Sequence, residues 1–98
     1  MVEHVFTRHG TTFAWDEDKA AQNLRKHGVA FEEAATVFDD PLFVLLDASR
    51  NEERRDAVIG FSAHGRLLTV VHIEVNGDSI RIVSARRASA NEEMTYAQ

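Results

Sequence analysis

The chain has no cysteine, a single proline and only five glycines among its 98 residues. Without cysteine there is neither a disulfide framework nor a thiolate metal site, and nothing points to an oxidising compartment. No apolar run approaches the ~20 residues a membrane span needs, and the first twelve residues carry charges without a long apolar core. The expectation is therefore a cytoplasmic protein with no signal peptide and no membrane association. A basic excess is also missing: Lys and Arg number 11 against 16 Asp and Glu, a formal charge of −5, which argues against broad, nonspecific nucleic-acid binding. There is no His-Glu-x-x-His, no phosphate loop and no Ser-His-Asp order, so metal and nucleotide enzymes are set aside and no cofactor or metal is expected. At this length one domain is expected, burying roughly 60 to 65% of the surface its unfolded chain exposes.

What the sequence does have is a run of three apolar, β-branched segments from Arg55 to Arg87 with two turn signals between them. It reads as a β-meander. Asn76-Gly77 between alternating runs suits a two-residue type I′ turn, because both central positions need positive φ. That register pairs Val75 with Asp78, Ile73 with Ile80 and His72 with Arg81. The Ala63-His64-Gly65 turn, enclosing two or four residues, keeps one parity and places Arg55 on the His72 face. Three basic side chains, Arg55, His72 and Arg81, are thus expected on one side of a sheet whose other end, at Ile59, Phe61, Leu68, Val70 and Val83, is apolar.

Upstream, residues 1–12 show no periodicity and read as a loose leader to a single domain over 13–98. Phe13-Ala14-Trp15 suits a short edge strand. Asp16 is placed to cap a helix over Glu17 to His27 that stops at Gly28, where glycine takes a left-handed conformation without strain. Ala20, Leu24 and His27 form its expected buried stripe; Lys19, Asn23 and Lys26 lie on a neighbouring face, either solvated or phosphate-contacting. Phe31 to Asp39 forms a second helix with an uncapped start at Ala30, ended by Pro41. Leu42 to Leu46 reads as an interior strand. Ser89 and Glu92 make a capping box for a short C-terminal helix. The fold class is α+β: two N-terminal helices, a four- to five-stranded mainly antiparallel sheet and a short C-terminal helix.

Several separated segments resemble one family. They are Trp15-Asp16-Glu17-Asp18-Lys19, Asn23 through Ala34 (NLRKHGVAFEEA), Ile59-Gly60 and Ile80 through Ala88 (IRIVSARRA). Together they resemble the BrnT family of bacterial type II toxins, over roughly Phe13 to Tyr96. The resemblance implies a RelE-like fold and a cytoplasmic ribonuclease that stops translation by cutting RNA without a metal. It also implies a BrnA-type antitoxin, a small DNA-binding protein, through which operator DNA is contacted.

Metal-free RNA cleavage needs a base for the 2′-hydroxyl proton, an acid for the leaving oxygen and cations for the charge growing on phosphate. On the register above, His72 is the expected base, kept neutral by Arg81 beside it, with Arg81 and Arg55 holding the phosphate. Lys26, His27, Arg86 and Arg87 are the expected RNA-binding residues. The alternative is a noncatalytic module of the same fold that only binds an antitoxin, with Glu74 paired to Arg55 and His72 merely packed.

Overall fold

In the computed structural model, which describes residues 2–98, the polypeptide opens with a hairpin of strands β1 (Glu3–Arg8) and β2 (Thr11–Asp16), paired from Glu3↔Asp16 to Arg8↔Thr11. Residues 3–8 are thus a strand and not a loose leader; Met1 lies outside the described residues. Only alternate residues of β1 meet apolar partners, rings of β2 directly across the hairpin, so its six residues carry little apolar periodicity of their own. His4 stacks on Trp15 at 4.9 Å and Phe6 meets Phe13 at 6.5 Å between ring centroids.

Asp16 then caps α1 (Glu17–His27), its carboxylate accepting from the Asp18 and Lys19 N–H groups at 2.8 and 3.4 Å. Gly28, at φ 70°, closes the helix by donating to the Leu24 carbonyl. The next helix, α2 (Phe31–Thr36), runs into a 3-10 turn at Val37–Asp39 just short of Pro41. Four strands and a helix follow: β3 (Val44–Asp47), β4 (Asp56–Phe61), β5 (Leu67–Val75), β6 (Ser79–Arg87) and α3 (Ala90–Ala97), the last started by a complete Ser89–Glu92 capping box.

The sheet has six strands in the order β1-β2-β6-β5-β4-β3 and is mixed, with β2 parallel to β6 at Thr12↔Ser79 through Ala14↔Arg81. This corrects the expected two helices followed by a four- to five-stranded, mainly antiparallel meander. The hairpin comes before the helices, and β2 and β6 meet across most of the chain, a pairing no turn signal announces. Likewise β3 is the outer edge and not an interior strand, with Leu45 55% exposed.

One face of the sheet is core. Phe13, Trp15, Val58, Leu68, Val70, Ile82 and Ala85 pack there against Val29, Phe31, Ala34, Ala35 and Val37. A polar network pins α2 over this face: Glu33 accepts from Ser62 at 2.7 Å and from the Arg66 guanidinium. The guanidinium holds the Glu33 carboxyl below the usual carboxylate range despite burial. β4 approaches closely at Gly60, where an added Cβ would lie 2.9 Å from Val37 Cγ1 and 3.2 Å from both Asp40 Oδ2 and Phe43 Cβ. Only glycine fits there.

Because β2 pairs with β6 only over Ser79–Arg81, the rest of that edge is open, and α1 lies against it. Asn23 closes the gap, accepting from the Ala85 N–H at 3.1 Å while its amide donates to the Ala85 and Val29 carbonyls at 2.8 and 2.9 Å. The expected helix stripe is therefore displaced. Asn23 is buried and Leu24 is 51% exposed, since buried backbone groups require a hydrogen-bonding partner that leucine cannot supply.

Candidate functional site

Both turns of the β4–β5–β6 unit enclose three residues, an odd count that turns β5 over relative to β4 and β6. Val75 pairs with Ser79 around Asn76–Asp78, and Ser62 donates its N–H to the Arg66 carbonyl around 63–65. A one-residue slip moves every side chain to the opposite side. Ile73, not His72, therefore stands opposite Arg81, and Asp56, not Arg55, stands opposite His72. A bulge between Val71 and His72 adds Val83 to β6, so that Val71 faces Ser84 and His72 faces Ile82.

The expected trio is consequently not brought together. His72 is a core residue, 3% exposed, its ring edge-on to Phe38 at 4.9 Å and its Nδ1 3.4 Å from the Val70 carbonyl. Burial lowers its pKa, so it is neutral for a reason other than a neighbouring arginine. Arg81 lies on the opposite, outer face and is held by Glu3 of β1 through two bonds, Nη1 to Oε2 at 2.9 Å and Nη2 to Oε1 at 2.5 Å. Arg55 precedes β4, also toward the outer face, with its Nε 2.5 Å from Glu53 Oε1.

On that outer face the sheet is covered at one end and open at the other. α3 covers the end near Phe61, whose ring meets Tyr96 at 5.4 Å, while the Tyr96 hydroxyl donates to Asp40 at 2.6 Å. Arg86 is engaged there by Glu92 at 2.7 and 2.9 Å, and this guanidinium pulls the Glu92 carboxyl down to about 2 against the opposing effect of burial. Arg87 is exposed and, among the described residues, forms no ion pair.

Beyond α3 lies a cleft of about 310 Å³ lined by Lys19, Gln22, Asn23, Lys26 and His27 of α1, together with Arg55, Val83 and Ser84. The helix positions repeat at i, i+3, i+4, i+7 and i+8, so one face of α1 forms one wall. Asn23, bonded to β6, sets the rotation that turns Lys19, Lys26 and His27 toward the sheet. A second hollow, of about 240 Å³ and lined by Arg50, Arg55, Val71 and Ser84 among others, adjoins it through Arg55 and Ser84. The cleft is lined by four basic side chains and by no carboxylate. Of the residues expected from sequence, Lys26, His27 and Arg55 meet here, whereas His72, Arg81, Arg86 and Arg87 do not line it. Ser84 and the anchoring role of Asn23 were missed; a polar residue central to a helix, where asparagine is a poor former, was the available signal.

Such an arrangement has the charge to hold an anion such as a phosphodiester and offers an imidazole beside it. A family profile described as the ribonuclease toxin BrnT of type II toxin–antitoxin systems matches residues 15–92. Among solved structures, the 1.1 Å crystal structure of the Brucella abortus ribonuclease toxin BrnT is similar, with a TM-score of 0.57 and 23% identity over 76% of this chain and 92% of that one. That likeness shows a shared fold. No curated protein sequence matches.

Proposed function

This chain belongs to the BrnT family of ribonuclease toxins of type II toxin–antitoxin systems, and on that premise we propose that it cuts RNA without a metal, in the cleft between α1 and β6, and thereby stops translation in the cytoplasm. The observation that carries the site is the convergence of Lys19, Lys26, His27 and Arg55 on one cavity with no acid among its lining residues. A net charge of −5 makes such a concentration of cations stand out from the rest of the surface.

In this reading Lys19, Lys26 and Arg55 hold the phosphates and stabilise the charge that grows on the equatorial oxygens. His27 takes the 2′-hydroxyl proton, the 2′-oxygen bonds to phosphorus, and the bond to the 5′-oxygen breaks. The leaving oxygen takes a proton from one of the lysine ammonium groups. The products are a 2′,3′-cyclic phosphate and a free 5′-hydroxyl, and nothing else is consumed. Membership of a type II family implies a protein antitoxin; we assign it to the BrnA type, a small DNA-binding protein that occludes the toxin and alone contacts operator DNA.

The test is cleavage of a short RNA by the purified protein in excess EDTA. His27→Ala, Lys26→Ala and Arg55→Ala are expected to lose about tenfold or more in rate while keeping the fold, whereas His72→Leu retains cleavage wherever it remains folded. No cleavage by the wild-type protein would favour the noncatalytic antitoxin-binding module. Full activity in the three cleft variants would place the chemistry elsewhere.

A further inference from the structure

The matched family span begins at Trp15, so β1 and most of β2 lie ahead of it. That strand does more than extend the sheet. Its Glu3 stands on the outer face, and its carboxylate grips Arg81 through both oxygens, at 2.9 and 2.5 Å. Arg81 shares that face with Ser84, because their partners Ile73 and Val71 are two residues apart on β5. Ser84 lines the basic cleft. The guanidinium next along β6 from the cleft is therefore occupied by an internal carboxylate of the geometry that a phosphate diester also presents.

We propose that Arg81 is a further phosphate-binding subsite for single-stranded RNA, continuous with the cleft, and that Glu3 of the N-terminal strand masks it. This inference rests on the RNA-cutting reading of the cleft. The masking pair is accessible, with the Arg81 and Glu3 side chains 36% and 45% exposed, so a nucleic-acid phosphate reaches the guanidinium once the carboxylate swings away. An exposed pair of this kind is worth little on its own and is readily exchanged for another anion. The cost of displacing Glu3 weakens binding of any RNA long enough to reach Arg81 and leaves shorter RNA unaffected.

Equilibrium binding of a single-stranded RNA oligonucleotide of about ten nucleotides, carrying 2′-deoxyribose at every position adjacent to a cleavable bond, is measured across a salt series. Glu3→Gln is expected to tighten binding by about threefold to tenfold and to steepen the plot of log affinity against log salt by about 0.7, the signature of one added phosphate contact. In an Arg81→Ala background the same substitution is expected to change neither quantity. If Glu3→Gln binds as the wild type does while Lys26→Ala still weakens binding, the cleft stands and the masking falls. A gain that persists without Arg81 would trace the effect to loosening of β1 and also overturn the proposal. If neither Glu3→Gln nor Lys26→Ala alters binding, the RNA reading of the cleft fails and the subsite with it.

Discussion

His72 shows how one residue changes meaning with its surroundings. On the outer face it would be a base; in the core, against Phe38 and opposite Asp56, it is a packing group whose polar edge meets, among the described residues, only the Val70 carbonyl. Burial lowers its pKa from the ordinary 6.5, and the Val70 carbonyl, Asp56 and Glu74 offset this only in part. A histidine with a lower value in the folded state binds fewer protons folded than unfolded. Its contribution to stability is then fully present above the unfolded value and is lost as pH falls below it. Urea unfolding is accordingly expected to show stability declining as pH falls below the ordinary histidine value of 6.5, with the slope flattened in His72→Leu. An unchanged slope would mean that other groups govern this window. The sequence placed His72 on a strand, and Arg55, Lys26 and His27 were all singled out. It could not show the face, because that depends on counting residues in two turns, and Asn76-Gly77 serves a three-residue loop ending at Asp78 as well as a two-residue one.

At the scale of elements, end signals were legible and sheet membership was not. The Asp16 cap, the Gly28 stop and the Ser89 box are local chemistry and lie where the sequence placed them. The start of α2 is where such chemistry is lacking: Ala30 is extended, at φ −77° and ψ 147°, and caps with no side chain. Glu33, three residues on, is committed to Ser62 and Arg66 and does not complete a box. Ala30→Ser is therefore expected to stabilise the protein by about 0.5 to 2 kcal/mol through the missing acceptor alone. A thermal midpoint that stays put or falls would contradict this. Strand β1 and the parallel pairing of β2 with β6 were invisible for a different reason. β6 is remote in sequence from β2, and in β1 Val5 faces solvent while only His4 and Phe6 reach aromatic neighbours. Apolar alternation is weak in a strand that earns its place by ring stacking, and β3 misled in the opposite sense, an apolar run left at the edge.

For the whole molecule, the proposed function rests on how the mixed sheet divides its two faces. The inner face is filled by α2 and the aromatic core, while the outer face is closed at one end by α3 and at the other carries the cleft against α1. An acidic chain thereby concentrates cations in one cleft, where we propose that RNA lies, and Asn23 fixes the helix that presents them. The most direct test of this account is to follow backbone amide shifts by NMR while adding an uncleavable 2′-deoxy-substituted RNA oligonucleotide. The account predicts the largest changes along Lys19–His27, at Arg55 and at Val83–Ser84, fading as salt is raised, with the buried amides around His72 and Val58 nearly still. Shifts confined to the β3 edge and α2, with the α1–β6 cleft unmoved, would contradict it.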